Sequence, residues 1–494
     1  MDPGLTPNSL DPKTYYPAFK APDARLDGRI FVGVSSTGIY CRPVCRARTP
    51  QEQNCTFFNS AAAAEAAGYR PCLKCRPELA PGPAPADTRA NPARQAALLM
   101  EEDFLGAVSL EKQAESLGVP GGHLDHLFRS EYGVSPVQYL LTHKLLLAKS
   151  LLTDTNLPAA DVALTAGFGA VRRLETLFLE RYRMPLSALR GKTKSSNSGS
   201  KDTITLYLGY RPPYLWDKLL AFLGGRTIPG VESVAGSSYH RTVIMPRGGE
   251  TFRGWLTVRH AEKKKALAVT ISVALLPVLP WILARVKRLF DLSCEPWEIY
   301  NRLAVMNDIK DGLCVPGTRL PGCFDAFEMA VRAVLGQQIT VKAARTLAGR
   351  LVSAYGTALA TPVDGLTHTF PTPADICGLA GPIVDHLGAL GVTGARARSI
   401  RALAEGLLRG EIDLSGRADP RVQMKKLLAL PGFGPWTVHY VAMRALGWPD
   451  AFPHTDYGVK KALAGRTPRE ILELSEPWEP WRSYATINLW TSGV

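Results

Sequence analysis

The chain has 494 residues, too many for a single hydrophobic core, and typical domain sizes predict roughly three or four domains. Lys and Arg outnumber Asp and Glu by 58 to 44, and the formal net charge of +14 favours nucleic acid as a partner, although a solvated basic surface would give the same charge. The N-terminal residues include neither a basic start nor an apolar run, which argues against a signal peptide and predicts a cytoplasmic protein.

Two stretches predict linkers that divide the chain into three blocks. Residues 81–93 are rich in Pro and Ala, and residues 191–202 are rich in Ser and Lys. The third block begins near Thr203 with alternating apolar and polar residues, and near Phe324 it changes to helical periods that continue to the end. It therefore predicts a strand-rich subdomain followed by two helical lobes.

Four cysteines in the first block form two closely spaced pairs. Three residues separate Cys41 from Cys45, two separate Cys72 from Cys75, and 26 lie between the pairs. This spacing allows two short loops to close on one tetrahedral ion, for which zinc is the natural choice. The spacing alone favours a purely structural zinc site that stabilises a block too small for a large core. Cys55 lies outside the pairs and is expected to pack in the core.

The segments around these cysteines, GRIFVGVSSTGIYCRPVCRARTP and FFNSAAAAEAAGYRPCLKCRPE, resemble the N-terminal domain of the Ada DNA-repair proteins over residues 26–79. The resemblance implies that Cys41 is both a zinc ligand and a nucleophile that accepts a methyl group from a methylated DNA phosphate. Zinc ligation would hold its sulfur as a thiolate. Methylation would reduce the negative charge of the zinc centre, so DNA affinity is expected to rise after repair.

Residues 108–190 show two helical pairs, each broken at a glycine-bearing turn, as in LPAADVALTAGFGAVRRLETLFLERYRMPLSALR. This array resembles the AraC-type DNA-binding domain, whose helices near residues 121–131 and 170–181 would enter successive major grooves. Arg129, Arg172 and Arg173 are predicted to contact phosphates or bases. His126 replaces a basic residue usual in that family and Glu175 adds a negative charge, and both changes would weaken binding to phosphates. The apolar residues on these helices are predicted to form a core: Leu124, Leu127, Phe128, Leu174 and Phe178.

Residues 266–284 carry no charge, but they do not predict a membrane span. Pro277 and Pro280 interrupt the run, and Thr270 and Ser272 alternate with apolar neighbours. The segment is expected to form a buried strand followed by the helix WILARVKRLFDL.

The segment KKLLALPGFGPWTVHYVAMRAL predicts two helices joined by a tight hairpin. Gly432 and Gly434 permit close backbone approach, and amide groups at the start of the following helix can hold a DNA phosphate. A hairpin alone would predict only nonspecific DNA binding, but FPHTDYGVK places Asp456 22 residues beyond Gly434. Together these motifs resemble the helix-hairpin-helix glycosylase superfamily, which implies that Asp456 is the catalytic carboxylate. Without them, Asp456 would be interpreted as the N-cap of a helix beginning at Tyr457.

Seven ordered segments between residues 203 and 493, among them YRPPYLW, RLPGCFDAFEMAVRAVLGQQITV and EPWRSYATINLW, resemble the AlkA-type DNA-3-methyladenine glycosylases. The resemblance implies that Trp436, Tyr440, Asp456 and Trp490 line a cleft between two helical lobes. Such an aromatic pocket attracts cationic alkylated purines, and Asp456 would stabilise oxocarbenium character on the sugar or orient the attacking water. Without the resemblance, the three aromatic residues would be interpreted as ordinary core residues.

Two further positions refine the predicted reaction. Trp436 stands where lyase-competent relatives have a lysine, so the resemblance implies a monofunctional glycosylase that leaves an intact abasic site. The leucine that AlkA inserts into the gap left by the flipped base corresponds here to Gln338, and the adjacent Gln337 is an alternative wedge residue. No cysteine follows Cys377, so the iron–sulfur ligands of some relatives are absent.

These motifs together predict a multidomain, mainly helical protein with α+β parts. The expected domains are an Ada-type zinc domain at residues 1–80, an AraC-type helix-turn-helix domain at 94–190, an AlkA-type α+β subdomain at 203–315 and helix-hairpin-helix lobes at 316–494. The expected cofactor is one zinc ion, with no organic cofactor. The expected partners are duplex DNA with alkylated bases or methylated phosphates, promoter DNA and RNA polymerase, but no membrane. We expect a nucleoid-associated protein of bacterial type that excises 3-methyladenine-like bases and regulates transcription.

Two other functions would fit parts of the sequence. A transcription regulator whose C-terminal enzyme fold only binds DNA would explain the basic charge, but the presence of Asp456 argues against it. An Ada-type protein that also demethylates guanine O6 would need a Pro-Cys-His motif, and none occurs in the chain. Excision of alkylated bases is therefore the predicted main activity.

Overall fold

The computed structural model describes residues 9–83, 91–102, 119, 123–190, 202–416 and 418–492. Backbone contacts group the chain into two compact units, Met1–Pro212 with Ala261–Ala284 and Pro213–His260 with Arg285–Val494. Most of the two predicted linkers lies outside the described residues, as does the first predicted helix of the helix-turn-helix block.

The N-terminal part of the first unit is a small sheet with two helices. Its elements are β1 (Ser9–Leu10), α1 (Pro12–Lys20), β2 (Phe31–Val34), β3 (Ile39–Cys41), β4 (Cys55–Phe58), α2 (Ala61–Ala66) and β5 (Arg70–Pro71). The strand order is β1-β4-β2-β3-β5, with β3 and β5 parallel and the other pairs antiparallel. Gly33 is needed in β2 because a Cβ atom there would lie 2.8 Å from the rings of Phe58 and Tyr69. The closely packed sheet places Tyr40 in the core, directly before Cys41.

A bundle of helices follows in the same unit. The described helices are α3 (Pro92–Glu102), α4 (His123–Tyr132), α5 (Pro136–Asp154), α6 (Ala159–Thr165), α7 (Val171–Tyr182) and α8 (Ser187–Arg190). Ser135 begins α5 with a capping box that it forms with Gln138. The helices α4 and α7 stand where the two recognition helices are predicted. The predicted core is confirmed, with four buried residues and one partly buried: Leu124, Phe128, Leu174, Phe178 and Leu127.

Two strands from the third block also belong to the first unit. β6 (Thr203–Gly209) and β10 (Ala266–Ser272) pair antiparallel along their whole length. A 3-10 helix, Val273–Val278, and α10 (Leu279–Leu289) come next, so the uncharged stretch forms a strand and a helix as predicted. Among the described residues, no helix combines the length and the apolar character that crossing a membrane requires.

The second unit combines three antiparallel strands with helical lobes. The strands are β7 (Glu232–Ala235), β8 (Ser238–Arg247) and β9 (Glu250–Ala261), which pair in that order. The helices are α9 (Trp216–Gly224), α11 (Pro296–Leu303), α12 (Ala326–Leu335), α13 (Val341–Tyr355), α14 (Pro373–Cys377), α15 (Ile383–Gly388), α16 (Gly394–Leu408), α17 (Pro420–Leu428), α18 (Pro435–Arg444), α19 (Tyr457–Ala462), α20 (Pro468–Leu474) and α21 (Arg482–Thr491).

A buried cluster of ion pairs joins the strands of this unit to α12. Arg241 Nη2 donates to Glu328 Oε2 at 2.8 Å, and Arg332 Nη1 donates to Glu232 Oε2 at 2.9 Å. Buried charges are tolerated only where they are paired and hydrogen-bonded, and losing one partner is strongly destabilising. The cluster therefore fixes the orientation of α12, whose C-terminal end leads into the turn at residues 336–339.

Candidate active site and zinc centre

Asp456 stands at the N-terminus of α19, where four N–H groups donate to its carboxylate. Oδ1 accepts from the backbone N–H groups of Gly458 at 2.7 Å and Val459 at 3.3 Å, as the carboxylate of an N-cap does. Two indoles complete the set, since Trp490 Nε1 donates to Oδ1 at 2.7 Å and Trp436 Nε1 donates to Oδ2 at 2.8 Å. Asp456 is therefore both an N-cap and the centre of an aromatic site. Within the described residues, Oδ2 has one donor and Oδ1 has three.

Gly458 permits this arrangement by leaving room for an indole. A Cβ atom at this position would lie 2.6 Å from Cδ1 of Trp490 and 3.1 Å from Oδ1 of Asp456. Because α19 and α21 approach so closely, the glycine of the TDYG motif is needed for packing.

Trp436, Tyr440 and Trp490 form one aromatic cluster beside Asp456. The ring centroids of Trp436 and Tyr440 lie 5.4 Å apart in a stacked arrangement, and those of Tyr440 and Trp490 lie 6.1 Å apart. Phe222 of α9 extends the cluster by stacking on Trp490 at 6.1 Å. The three predicted residues are partly exposed, which distinguishes them from ordinary core aromatics and leaves ring surface for a ligand.

Two arginines that the sequence analysis did not single out border this cluster. Arg226 Cζ lies 3.8 Å from the centroid of the Phe222 ring, and Arg444 Nη1 donates to Tyr440 Oη at 3.1 Å. Burial alone would raise the pKa of Tyr440, but neighbouring guanidinium groups, Arg444 foremost, hold that pKa below its usual value. Arg444 is a charged residue four positions after Tyr440 on the largely apolar helix α18, and this spacing could have indicated from the sequence that Arg444 lies beside the site. Nothing in the sequence links Phe222 or Arg226 to the site.

The turn between α12 and α13 carries both candidate wedge residues. Gln337 Nε2 donates to the Gly432 carbonyl at 2.8 Å and to Thr437 Oγ1 at 2.9 Å. Gln338 is the more exposed of the two glutamines, and its φ of +55° is a left-handed conformation that non-glycine residues rarely adopt. The structure therefore separates the neighbours, with one side chain held by the fold and the other presented at the surface.

The predicted hairpin joins α17 to α18. Gly432 has a φ of +76°, and a Cβ atom there would lie 2.2 Å from Ser399 Oγ, so both conformation and space require glycine. Gly434 is the N-cap of α18, and Pro435 follows as its first residue. Both glycines are exposed, so the amide groups at this helix start are accessible to a phosphate.

The four predicted zinc ligands lie together in the first unit. The Sγ atoms of Cys41, Cys45, Cys72 and Cys75 all lie within 4.8 Å of one another. Four sulfurs at ~2.3 Å from one tetrahedral zinc ion would be about 3.8 Å apart, so this donor set fits the ion. Cys55 packs in a separate core cluster, as predicted.

Arg42, the neighbour of Cys41, contacts Cys75 through both its backbone and its side chain. Its N–H donates to Cys75 Sγ at 3.3 Å, and its Nη1 donates to the Cys75 carbonyl at 3.1 Å. The same guanidinium pairs with the buried carboxylate of Asp27. These contacts orient the two cysteine loops, as outer hydrogen bonds commonly do around a metal.

A buried carboxylate links the cysteine-bearing sheet to the helices that follow it. Glu65 of α2 accepts hydrogen bonds from Tyr40 Oη at 2.9 Å, Thr142 Oγ1 at 2.8 Å and Tyr182 Oη at 2.9 Å. Burial raises the pKa of Glu65 to about 7, although the three hydroxyl groups oppose that rise. Because Tyr40 precedes Cys41 in β3 and Tyr182 ends α7, this cluster joins the strand that carries Cys41 to a predicted recognition helix.

The cations predicted to contact DNA differ in their surroundings. Arg172 and Arg173 are exposed in the first turn of α7. Arg129 is also exposed, but its Nε donates to Asp125 Oδ2 at 2.7 Å. Of the two predicted recognition helices, α7 therefore presents the stronger positive charge, even with Glu175 beside it.

Four family models match the chain. They are the metal binding domain of Ada at residues 14–78, a helix-turn-helix domain at 113–192, the AlkA N-terminal domain at 205–325 and the HhH-GPD superfamily of base excision DNA repair proteins at 331–466. These matches confirm the resemblances seen in the sequence, the predicted fold class and the assignment of the four cysteines to a zinc site.

Three named proteins are similar to this chain. A probable bifunctional transcriptional activator/DNA repair enzyme AlkA of Mycobacterium tuberculosis is 36% identical over 97% of this chain and 95% of that protein. The DNA-3-methyladenine glycosylase 2 of Escherichia coli is 38% identical over 57% of this chain and 95% of that protein. The bifunctional transcriptional activator/DNA repair enzyme Ada of Escherichia coli is 37% identical over 24% of this chain and 31% of that protein. The chain therefore belongs to the family of bifunctional transcriptional activators and DNA repair enzymes to which the mycobacterial AlkA belongs.

Proposed function

We propose that this chain repairs alkylated DNA in two ways and regulates the response to alkylation. Its C-terminal part hydrolyses the N-glycosidic bond of alkylated bases such as 3-methyladenine, and its N-terminal part accepts methyl groups from methylated DNA phosphates. The family relationship supports both activities and the regulatory role. The observation that carries the first activity is the Asp456 carboxylate, which four N–H donors hold beside three partly exposed aromatic rings.

In the proposed excision reaction, the damaged nucleotide leaves the duplex and its base stacks on Trp436 and Tyr440. Asp456 Oδ2, which has fewer donors than Oδ1, faces the sugar and stabilises the positive charge that develops as the bond breaks. The bonding electrons leave with the base, so a cationic alkylated base departs neutral, and water adds to the sugar carbon and loses one proton to the solvent. Because Trp436 replaces the lysine of lyase-competent relatives, no Schiff base forms and the abasic site stays intact.

The charge of the pocket bears on which bases it accepts. A cationic alkylated purine gains ~0.5 to 2 kcal/mol for each good contact with a ring face. Arg226 and Arg444 already lie against rings of the cluster, and their positive charge opposes that gain. Stacking and ease of flipping, rather than charge alone, therefore select the damaged base.

Two surface features hold the DNA in this proposal. The exposed Gln338 enters the gap left by the flipped nucleotide and hydrogen-bonds the orphaned base. The hairpin at Gly432 and Gly434 binds a backbone phosphate through the amide groups at the start of α18.

The N-terminal part acts as a methyl acceptor and sensor. Zinc, when bound by the four cysteines, keeps the Cys41 sulfur as a thiolate at neutral pH. The sulfur attacks the methyl carbon of a phosphotriester, so a C–S bond forms, a C–O bond breaks and the phosphate leaves as an anion. The loss of negative charge at the cysteine site strengthens binding to DNA, where Arg172 and Arg173 contact the promoter.

The four domains bounded at residues 1–80, 94–190, 203–315 and 316–494 divide these tasks. The first two sense alkylation and bind promoter DNA beside RNA polymerase, and the last two bind and excise damaged bases. The protein acts in the cytoplasm, on the nucleoid.

Release of free 3-methyladenine from alkylated duplex DNA tests the excision reaction. The native protein should release the base and Asp456→Asn should not, although asparagine can still cap α19 and preserve the fold. A well-folded native protein that releases no base would favour a regulator that only binds DNA.

Mass spectrometry of the N-terminal peptides tests methyl acceptance. After incubation with DNA that carries methylphosphotriesters, Cys41 should gain one methyl group. Cys55→Ala is the matched control, because that cysteine lies outside the zinc set and its loss should leave the methylation of Cys41 unchanged. Native protein without methyl on Cys41 would contradict the sensor role.

A further inference from the structure

The carboxamide of Gln337 joins three parts of the candidate glycosylase site. Its Nε2 donates to the carbonyl of Gly432 in the hairpin at 2.8 Å and to the hydroxyl of Thr437 in α18 at 2.9 Å. These partners lie 95 and 100 residues further along the chain. One side chain therefore connects the turn after α12 with the hairpin and with the helix that carries Trp436.

The backbone of the same turn is fixed by a third contact. The guanidinium of Arg396, in the first turn of α16, donates to the Gln337 carbonyl. The next residue, Gln338, has a left-handed φ of +55°, a conformation that persists only where the surroundings determine it. The contacts of Gln337 with the hairpin, α18 and α16 supply that constraint.

We propose that Gln337 is a positioning residue that holds the wedge turn, residues 336–339, in register with the phosphate-binding hairpin at Gly432 and Gly434. This inference rests on the proposed function of the same site. When the hairpin amides hold a phosphate, the Gly432–Gln337 bond fixes the distance from that phosphate to Gln338. Gln338 then enters the base stack at the correct base step. The Gln337–Thr437 bond also fixes the position of Trp436, the neighbour of Thr437, relative to Gln338.

The proposal predicts a defect in opening the duplex rather than in breaking the bond. The side chain and carbonyl of Gln337 form hydrogen bonds with Gly432, Thr437 and Arg396. The four donors of Asp456 are other groups, so the carboxylate should keep its four hydrogen bonds when Gln337 is changed. Opening a base pair requires the wedge, whereas a base without a partner leaves the stack at lower cost. Opening of the base pair and cleavage of the glycosidic bond can therefore be measured separately, by comparing a paired damaged base with an unpaired one.

The test compares native protein and Gln337→Met on two duplexes under single-turnover conditions. One duplex carries 7-methylguanine opposite cytosine, and the other carries the same base opposite an abasic analogue. Methionine keeps the length of the side chain but removes both donors. With two hydrogen bonds lost, excision from the paired duplex should slow about tenfold or more. Excision opposite the abasic analogue should change by less than about threefold.

Gln423→Met is the matched control. Gln423 is a buried glutamine of α17 whose Oε1 accepts from the Asp413 backbone N–H at 2.9 Å, so its hydrogen bond involves neither the turn at residues 336–339 nor the hairpin. Its replacement also removes a hydrogen bond of this unit, but any change in the excision rate should be the same for both duplexes. Thr437→Val, which deletes one acceptor of Gln337, provides a second variant should Gln337→Met fail to fold, and it should show the same selective loss on the paired duplex.

The role of Gln337 would be overturned if Gln337→Met slowed excision by the same factor on both duplexes, or if it excised at the native rate on both. Failure of the proposed function itself would look different, because the native protein would then excise from neither duplex.

Discussion

Replacing Gly458 with alanine should disable base excision without unfolding the protein. Gly458 lies in α19, where alanine is the better helix former by about 0.5–1 kcal/mol, so the backbone favours the change. The added Cβ atom, however, would lie 2.6 Å from Cδ1 and 3.0 Å from Nε1 of Trp490. Carbon atoms in contact normally lie ~3.5–4.0 Å apart, so the indole must retreat by about 1 Å.

This retreat would break one hydrogen bond of the Asp456 carboxylate, the group proposed to act in excision. The distance from Trp490 Nε1 to Asp456 Oδ1 is 2.7 Å, and the displacement takes it to the limit of ~3.6 Å beyond which no hydrogen bond forms. A hydrogen bond to a charged group contributes ~1.5–3 kcal/mol, which corresponds to a rate loss of roughly 10-fold to 150-fold. The measurement is the single-turnover rate of 3-methyladenine release from alkylated duplex DNA.

Gly388→Ala is the control for this experiment. Gly388 ends α15, and a Cβ atom there would meet nothing within 4 Å, so this variant should excise at the native rate. A Gly458→Ala protein that folds normally and excises within about twofold of the native rate would refute the role given to the Trp490–Asp456 contact.

Three other changes have defined outcomes. The pKa of Glu65, raised by burial to about 7, exceeds the ordinary value of 4.5, so its ionisation costs stability as the pH rises from about 4.5 to 7. Glu65→Gln should therefore gain thermal stability relative to the native protein at pH 8 but not at pH 5, and an equal difference at both would contradict this. Arg226→Ala removes ~1 kcal/mol of screened repulsion between the guanidinium and a cationic base, so the ratio of the excision rate for cationic 7-methylguanine to that for neutral hypoxanthine should rise about fivefold. An unchanged ratio would argue against that repulsion. Chelation of zinc should abolish methyl acceptance by Cys41 but spare 3-methyladenine release, because Asp456 and its donors lie in the second unit. Parallel loss of both activities would contradict that separation.

The features that the sequence predicted well are those that a short stretch of chain encodes. The paired cysteines predicted a zinc site because each pair is a local loop, and their Sγ atoms do lie together. The hairpin was predicted for the same reason, since Gly432 needs a left-handed conformation that only a few residue types tolerate. The buried positions of α4 and α7 followed from helical spacing.

The features that the sequence did not predict depend on which distant segments meet. Phe222 and Arg226 come from the strand-rich part of the chain, yet they lie against Trp490, more than 260 residues later. Glu65 stands in a run of alanines, and nothing in that run indicates the three hydroxyl groups that donate to its carboxylate. No local pattern reports such contacts, because a buried polar side chain is specified by partners that only the folded chain supplies.

The sequence allows two interpretations of Asp456, as a helix N-cap and as a catalytic carboxylate, and the geometry makes the second depend on the first. The N–H groups of Gly458 and Val459 that cap α19 bind Oδ1, and this fixes the carboxylate so that Oδ2 keeps the smaller number of donors. An alanine at this position would remove the cap together with the charge, so loss of activity could reflect a frayed helix. Asparagine caps a helix as well as aspartate does but carries no charge, and its amide N–H cannot accept from Trp436 Nε1. Loss of excision in Asp456→Asn with α19 intact would therefore assign the carboxylate to the chemical step.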